Sequence, residues 1–363
     1  MTPIRPFHPV SPGEILEESL QAKAWSQRDL ATILGRPVQA VNEIIGGKKA
    51  ITPETAIALA EAFGGSADYW LGLEARYRLD LIHGEKATPE NRIRRRAKLF
   101  SKAPVNELIK RGWIKADLTN LDQTEKALCD FLEIPTIDDD PKAPFSARKT
   151  RRQEPHTTAQ VAWAYRMRKV ARGIKSNKYS KSQLSDLIKQ MPSRSRSEAE
   201  TKGIVSALAS VGVRAVFVSH LSGTRIDGGA LWLGDIPVVG LSLRYDRIDW
   251  FWFTLMHELA HVIEGEESLD LQLVGNDAER SDLEYEERAD QAAAEWLVPQ
   301  QALKLFIRSV KPYFSRSAIL DFAEQIRVHP GIIVGQLQKS GHIPYSHHRN
   351  LLTRIRHLFS ETS

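Results

Sequence analysis

Apolar residues recur at helical spacing through the first ninety residues, between clear signals for helix starts and stops. Ser11, Ser26 and Thr52 can each cap a helix, because a hydroxyl oxygen accepts hydrogen bonds from the free amides of a first turn. Gly35 and the Gly46-Gly47 pair can end helices. The spacing predicts two short helices, 27–34 and 37–45, packed across a tight turn. The apolar positions that carry this pattern are Leu30, Ile33, Leu34, Val38, Val41, Ile44 and Ile45.

The pattern changes twice further along the chain. Residues 91–200 are predicted as helices separated by polar loops, and from about residue 200 a helix is followed by strands and then by helices. Strands are predicted within 211–221, 229–233 and 237–243, and only helical patterns follow Leu243. The predicted fold class is α+β and mostly α. Its parts are an all-α bundle at 1–90, a helical connector at 91–200, a domain with a small sheet at 201–345 and a tail at 346–363.

Composition narrows the class of protein. The 363 residues are enough for two or three cores, and 42% hydrophobic with 26% charged residues is typical of a soluble globular protein. No apolar run approaches the roughly 18 residues of a membrane span, and the N-terminus lacks the features of a signal peptide. The single cysteine, Cys129, excludes an internal disulfide and fits a reducing cytosol. We therefore expect a cytoplasmic protein.

Positive charge is concentrated in the middle of the chain. Residues 91–200 hold 25 Lys and Arg against 13 Asp and Glu, a balance of +12, whereas 1–90 (9 against 12) and 201–363 (16 against 20) are slightly acidic. The basic segment can lie along a phosphate backbone, or it can be a solvated connector.

A metal-binding pattern lies in the last helical region. A helix capped by Asp246, with Asp249 at its third position, is predicted to run to Ile263. His257 and His261 are four residues apart, so both imidazoles project from one face and can bind one Zn²⁺ at about 2.0–2.1 Å. Glu258, beside the first histidine, can accept a proton from water that the metal activates.

A catalytic zinc requires a third protein ligand and one open position. Ser281 to Glu284 predict the start of a second helix, on which Glu286 and Asp290 share one face. Glu286 can be the third ligand, and Asp290 can accept the outer N–H of a zinc histidine. Two surface histidines beside an ordinary acidic run, or a bound zinc without catalysis, are the alternatives.

These residues resemble the ImmA/IrrE family of bacterial metallopeptidases. The resemblance covers about residues 200–345, through FTLMHELAH (253–261), EERADQAA (286–293) and LVP (297–299). It implies a gluzincin-like fold with a small sheet beside the active-site helix, zinc on His257, His261 and Glu286, and Glu258 as general base. It also implies that the strand near 229–232 is an edge that can pair with an extended peptide. Family members cleave repressor proteins, so a zinc-dependent endopeptidase with a specific protein substrate is expected.

Two positions qualify this resemblance. Ala260 stands where the family commonly has Gly, a mild departure because Ala suits a helix better. Residues 328–337 resemble the family's C-terminal stretch, in which His329 can reach the site and stabilise an oxyanion. A packing histidine before a turn is the other interpretation of His329.

The two short helices near the N-terminus can bind DNA, the second in the major groove and the first against phosphates. With Val38, Val41 and Ile45 inward, the second helix presents Gln39, Ala40, Asn42 and Glu43 outward. Gln and Asn can pair with adenine, and Ala can contact a thymine methyl. The predicted phosphate contacts are Gln27, Arg28, Arg36, Lys48 and Lys49.

This segment resembles the HigA-type antitoxin domain of the lambda-repressor-like (XRE) superfamily over about residues 8–82. The motifs that carry it are His8-Pro9, PGEIL (12–16), Ser26-Gln27, Leu30-Ala31, GKKAITPETA (47–56) and Tyr69-Trp70-Leu71. The resemblance implies binding of a palindromic operator in double-stranded DNA by a homodimer. The acidic balance of residues 1–90 leaves a purely protein-binding use of the same fold as an alternative.

Together, the two motif sets predict an antitoxin-type transcriptional regulator fused to a zinc peptidase that adjusts its own level or that of a partner, such as a repressor or toxin. Two other hypotheses remain. One is a peptidase whose N-terminal helices only recruit a protein substrate, and the other is an antitoxin-like module whose zinc site is a sensor or a relic.

Overall fold

The computed structural model describes residues 10–83, 89–142, 157–265, 268–271 and 280–359. The chain divides into two units, Met1–Arg95 and Arg96–Ser363. Within the described residues, no helix combines the length and the apolar composition needed to cross a membrane.

The described part of the first unit is helical. Its helices are α1 (Pro12–Lys23), α2 (Gln27–Ile33), α3 (Val38–Ile45), α4 (Pro53–Phe63) and α5 (Ala67–His83), and α6 (Pro89–Lys102) contains the division between the units. The three predicted caps are confirmed, because Ser11, Ser26 and Thr52 each accept a hydrogen bond from the amide three residues later. The core is formed by Leu16, Leu20, Leu30, Val41, Ile44, Ile51, Leu59 and Trp70, among others. His8 and Pro9, which belong to the antitoxin resemblance, lie outside the described residues.

One glycine sets how closely α1 approaches α3. A Cβ at Gly13 would lie 2.1 Å from the Ile45 carbonyl oxygen and 2.8 Å from that of Ile44. Both atoms are backbone, so no side-chain rotation can relieve the overlap. The start of α1 therefore packs on the end of α3 only because residue 13 has no side chain.

The second unit alternates helices with a small sheet. The elements before α12 are α7 (Val105–Lys110), α8 (Leu121–Leu132), α9 (Thr158–Arg172), α10 (Lys181–Arg194), α11 (Glu198–Ser210), β1 (Arg214–Phe217), β2 (Ile226–Leu233) and β3 (Ile236–Leu241). From there follow α12 (Ile248–Glu264), β4 (Ser268–Leu271), α13 (Arg280–Leu297), α14 (Gln300–Val310), α15 (Arg316–Gln325) and α16 (Pro330–Lys339). Two 3₁₀ turns, Arg349–Leu351 and Arg356–Leu358, close the described chain.

The sheet has the order β1-β3-β2-β4, with β1 parallel to β3 and β2 antiparallel to both of its neighbours. Its two faces are both covered. Ala230 and Val239 belong to the core that includes α12, whereas Leu231 and Val238 belong to the core that includes α8 and α9. This alternation follows from the two-residue period of a strand, and it places α12 directly on one face of the sheet.

The segment predicted as a connector packs into the second unit from residue 96 onward. Trp163 of α9 is completely buried, and its indole N–H donates to the Val218 carbonyl at 2.8 Å. Part of the positive charge of this segment is paired internally, for example Arg172 with Glu133 at 2.5 Å and Arg111 with Glu107 at 2.7 Å. The predicted tail is also packed, because Phe359 stacks on Phe217 with ring centroids 4.3 Å apart. Leu351, Ile355 and Phe359 of this segment are buried, and Leu352 and Leu358 are partly buried, which periodicity does not reveal.

Two predictions around α12 are wrong. Asp246 does not cap the helix; its carboxylate accepts the amides of Ile355 and Arg356, at 2.9 and 2.7 Å, so it binds the C-terminal segment instead. Asp249 forms a two-point ion pair with Arg247, which occupies the cap position. The statement that only helices follow Leu243 is also wrong, since β4 adds a fourth strand.

We predict that Gly13→Ala destabilises α1 to α3 by about 1–3 kcal/mol or more, because the added methyl group overlaps two carbonyl oxygens. Hydrogen exchange read by mass spectrometry on the full chain measures this region separately from the second unit. Gly72→Ala is the matched control: it lies inside α5 with no atom within 4 Å of the new Cβ, so it should leave exchange unchanged or slow it. Equal exchange in the two variants would contradict the packing argument.

Candidate functional site

A glycine and one hydrogen bond form the turn between α2 and α3. α2 ends at Ile33, and Gly35 has a φ of +62°, the left-handed region that favours glycine. The Arg36 amide donates to the Ala31 carbonyl at 2.9 Å, and α3 begins two residues later at Val38. The two helices have the bounds that the sequence predicted, to within one residue.

The predicted base-reading residues lie on the side of α3 away from the core. Gln39 and Asn42 are exposed, Ala40 and Glu43 are half-buried, and Val41 is buried. The Gln39 amide donates to the Glu43 carboxylate at 3.1 Å, which aligns these two side chains along the helix. Two polar amide side chains are therefore available on a convex helix surface.

The predicted phosphate contacts do not all lie on this surface. Arg28, Lys48 and Lys49 are exposed, and Gln27 is half-buried. Arg36 is different, because it is half-buried and its Nη1 donates to Thr55 Oγ1 at 2.6 Å. Since this bond ties the α2–α3 turn to the start of α4, Arg36 acts inside the unit and not as a surface cation.

In the second unit, α12 and α13 bring three potential metal ligands together. His257 and His261 lie one turn apart on α12, each 3% exposed, and Glu286 comes from α13. Their ligand atoms all lie within 4.8 Å of one another, so among the described residues these three side chains form a group that could hold a metal ion. The side chains of 281–284, predicted as a capping box, lie outside the described part of the chain.

The spacing of the three donors fits a tetrahedral ion. Nε2 of His257 lies 3.2 Å from Nε2 of His261 and 3.1 Å from Oε2 of Glu286. Nε2 of His261 lies 3.8 Å from Oε1 of Glu286. Ligands about 2.0–2.2 Å from a tetrahedral zinc are about 3.3–3.6 Å apart. Two imidazole nitrogens and one carboxylate are also a donor set that zinc accepts, with a fourth position left for water.

Asp290 lies behind the first histidine, where the sequence placed it. Its Oδ1 is 3.0 Å from Nδ1 of His257. A carboxylate on this side holds a proton on Nδ1, so that when Nε2 releases its own proton to bind a metal, its lone pair points toward His261 and Glu286. The orientation of His257 is thereby set by a residue outside the three-ligand group.

The electrostatics of the cluster favour an ionised Glu286. Burial alone would raise the pKa of Glu286, but its hydrogen bonds with His257 and His261 outweigh burial and hold that pKa well below its usual range. For His261, burial lowers the pKa, but the hydrogen bond that its ring donates to Glu286 and the charge of Glu258 outweigh burial and raise the pKa. An ionised carboxylate is the form that ligates a metal.

Glu258 is completely buried against the sheet. β2 passes so close that a Cβ at Gly228 would lie 2.8 Å from Glu258 Oε1 and 2.7 Å from Thr254 Cγ2. A side chain at position 228 would therefore displace the side chain of Glu258 or Thr254, and Gly228 leaves both in place. The sequence signal for Gly228 is the Gly228-Gly229 pair at the start of the predicted strand 229–233, since glycine in a strand often marks close backbone approach.

The prediction that residues 229–232 form a sheet edge is wrong. β4 pairs antiparallel with β2, with Leu269 opposite Gly229 and Ser268 opposite Ala230. β2 therefore lies between β3 and β4, and a peptide cannot pair with it while β4 is in place. The four residues of β4 lie in a polar, acidic stretch, and so short a strand gives no detectable alternation in the sequence.

A family model described as helix-turn-helix matches residues 16–70, from within α1 to within α5. An uncharacterized HTH-type transcriptional regulator of Escherichia coli (strain K12), YddM, is 35% identical over 88 residues, which are 24% of this chain and 90% of YddM. The chain belongs to the helix-turn-helix family. Virulence-associated protein I of Dichelobacter nodosus is 37% identical over 78 residues, or 21% of this chain and 72% of that protein.

Solved structures give matches of similar extent. An addiction module antidote protein of a HigA family from Coxiella burnetii is 37% identical, covers 21% of this chain and 83% of its own, and has a TM-score of 0.20. The Pseudomonas aeruginosa antitoxin HigA, solved with the higBA promoter, is 33% identical over 21% of this chain and 85% of its own, with a TM-score of 0.21. The helix-turn-helix model match covers residues 16–70, within the first unit.

His329 does not join the metal cluster, and its predicted catalytic role is wrong. Its Nδ1 accepts the Gly331 amide at 3.0 Å, so the side chain caps α16. Its Nε2 lies 3.4 Å from Thr353 Oγ1, and its own amide donates to Ser195 Oγ at 3.0 Å. The charge of Asp249 raises the pKa of His329. Asp249 precedes His257 by eight residues, which is about 12 Å along α12. The packing interpretation of His329 is the one that agrees with the structure.

The cap on α16 should depend on pH. Burial lowers the pKa of His329 below 6.5 despite the charge of Asp249. His329 therefore binds a proton less readily in the folded chain than in the unfolded chain, where its pKa is near 6.5. The free energy of unfolding is therefore greatest above pH 6.5 and decreases as the pH falls below that value. A protonated Nδ1 also cannot accept the Gly331 amide.

We predict that His329→Asn, which keeps a capping acceptor and cannot titrate, protects α16 from acid. Between about pH 7 and about pH 5 the wild-type chain should lose more stability at α16 than the variant. Hydrogen exchange of peptides from α16, corrected for the intrinsic effect of pH, measures it. Parallel pH profiles for the two chains would contradict the assignment.

Proposed function

We propose that this protein is a DNA-binding transcriptional regulator of antitoxin type, and that its second unit is a zinc-dependent endopeptidase acting on a specific protein. The observation that carries the proposal is the coexistence of a helix-turn-helix unit and the cluster of His257, His261 and Glu286 on one chain. The ImmA/IrrE and HigA-type resemblances described above point the same way. We expect the protein to act on duplex DNA as a homodimer.

The DNA-binding half is supported by the family match and by the surface of α3. The relatives from Escherichia coli and Haemophilus influenzae are named HTH-type transcriptional regulators. Gln39 and Asn42 are exposed on α3, and their amides match the donor and acceptor pattern of adenine in the major groove. Arg28, Lys48 and Lys49 are exposed at the ends of the two helices, where they can neutralise phosphates.

The peptidase half is supported by the fit of the cluster to zinc. His257, His261 and Glu286 would hold the ion, and Asp290 would hold His257 in the required tautomer. When bound, zinc supplies Lewis-acid polarisation of the scissile carbonyl and lowers the pKa of water.

Glu258 would move the proton in this reaction. It follows His257 on the same helix, it is completely buried, and Gly228 of β2 fixes its carboxylate from the side of the sheet. From there a carboxylate can accept a proton from the attacking water and donate it to the leaving amine. Burial in apolar surroundings excludes bulk water, which strengthens both steps.

For the DNA-binding half, the operator is first selected from a random duplex library with the full wild-type chain. We predict that Asn42→Ala lowers affinity for the selected duplex by about 5- to 150-fold, corresponding to about 1–3 kcal/mol, with little change for random duplex. The matched control is Gln21→Ala, an exposed side chain on α1, which should leave both affinities unchanged. Failure of the wild-type chain to bind any duplex at low salt would overturn this half and favour a protein-recruiting role for the unit.

For the metal, we predict about one zinc per wild-type chain, measured by mass spectrometry after purification without chelator. His257→Ala and Glu286→Ala should lose it, because each removes one of three ligands. Asp290→Ala should weaken zinc binding by about 10- to 100-fold. Glu287→Ala, an exposed carboxylate next to Glu286, is the control that should keep zinc. A wild-type chain free of zinc would end the peptidase proposal.

Catalysis is tested separately with Glu258→Gln, which leaves the three ligands intact. New protein N-termini are compared in cells that produce the wild-type chain or the Glu258→Gln chain. A cleavage confined to the wild-type cells and reproduced with purified proteins supports the endopeptidase. Stoichiometric zinc with no such cleavage would instead favour a zinc-binding regulator without turnover.

A further inference from the structure

The helix-turn-helix unit carries little positive charge of its own. Its described residues, 10–83, include 7 Lys and Arg against 10 Asp and Glu, a balance of −3. Neutralising phosphates supplies a large share of protein–DNA affinity, and it depends on the number of cations at the interface. With Arg36 bonded inside the unit, few cations remain near α3. Additional cations outside residues 10–83 would therefore strengthen the proposed DNA binding beyond what Arg28, Lys48 and Lys49 supply.

The next helix has the opposite charge. Residues 91–102, within α6, contain six Lys and Arg and no Asp or Glu. Four of the six are partly engaged in the folded protein. Lys98 and Lys102 pair with Asp138 and Asp140, Arg96 donates to the Leu118 carbonyl at 3.4 Å, and Arg95 is half-buried.

Arg92 and Arg94 differ from the other four. Both are exposed, and neither forms an ion pair within the part of the chain that the structure describes. Their guanidinium groups are thus available to an external anion. An arginine also binds phosphate well, because its planar N–H groups can make two hydrogen bonds to it.

Arg92 and Arg94 belong to the same compact unit as the DNA-binding helices, because that unit extends to Arg95. α5 ends at His83 and α6 begins at Pro89, so at most six Cα steps separate them. Six fully extended residues span about 20 Å, which is the greatest distance that the start of α6 can lie from the end of α5. The first turns of α6 are therefore part of the unit that the proposal brings onto the duplex.

We propose that the first turns of α6 form a second DNA-contacting surface, on which Arg92 and Arg94 bind backbone phosphates independently of sequence. This inference rests on the proposed DNA binding of the helix-turn-helix unit. It assigns sequence reading to α3 and electrostatic affinity to α6.

An anionic membrane is the competing partner. Ile93 and Phe100 are 63% and 40% exposed and lie on one side of α6, seven residues apart. Membrane-surface helices bury a broad apolar face together with their cations, whereas only these two large apolar residues are exposed between 92 and 102. The adjoining helix-turn-helix unit makes DNA the better partner for these arginines.

The test measures binding of the full chain to a random-sequence duplex as a function of salt. Each phosphate contact contributes about 0.9 to the slope of log K against log salt, so Arg92→Gln with Arg94→Gln should reduce the slope by about 2. Arg92→Lys with Arg94→Lys should keep most of the slope. The matched control is Lys304→Gln with Arg308→Gln, two exposed cations on α14 whose loss makes the same change in net charge. This control should keep the wild-type slope.

The outcomes separate the inference from the function on which it rests. A wild-type chain that binds no duplex removes the proposed DNA binding and the inference with it. If the wild-type chain binds duplex, and the glutamine variant and the control both have the wild-type slope, the inference about α6 is overturned while the proposed DNA binding stands. The last measurement uses vesicles of anionic phospholipid. Two results together would assign α6 to a membrane surface: loss of vesicle binding in Ile93→Ser with Phe100→Ser, and an unchanged slope for DNA in the arginine variant.

Discussion

The packing of α12 against α13 is the interaction on which the second unit depends. It buries two imidazoles and places them beside two carboxylates that are only partly buried. Taking such groups out of water costs free energy unless they find partners. Here the partners are one another, with His257 bonded to both Glu286 and Asp290. A bound cation would further compensate the negative charge of the two carboxylates next to the histidines. A cluster of this kind is therefore stable in a metal site and unfavourable as part of an ordinary core.

The rest of the unit holds α12 in place. Leu255 and Leu259 are buried in the core that α12 shares with the sheet. At the start of the helix, Arg247 pairs with Asp249 and donates to Gln338 of α16. Gly335 of α16 fits directly against Asp249, where a Cβ would lie 2.5 Å from the carboxylate. α12 is therefore fixed at its start by polar contacts and along its length by apolar ones. A rigid helix is what keeps two ligands one turn apart in register with a third ligand from another helix.

In both units, glycine residues occupy positions on which the local geometry depends. In the helix-turn-helix unit, Gly13 allows the start of α1 to approach the backbone of α3, and Gly35 supplies the left-handed φ of the turn before α3. In the second unit, Gly228 allows a strand to lie against Glu258. At each position the absent side chain positions a neighbouring chemical group, so substitutions there affect function through geometry and not through lost contacts.

The sequence by itself determined the local features. Helix caps, the two short helices of the first unit, the helical register of His257 and His261 and the pairing of Glu286 with Asp290 all follow from spacings of three or four residues, which the backbone geometry of a helix enforces. Tertiary structure decided what depends on residues distant in the chain. Arg36 contacts Thr55, Asp246 accepts the amides of Ile355 and Arg356, and β4 pairs with the strand that the family resemblance implied to be an edge. His329 has the residue type of a catalytic group, but its place at the start of α16, with Asp249 and Thr353 near it, makes it a cap. Periodicity reports which way a side chain points from its own element, and only packing determines what it meets there.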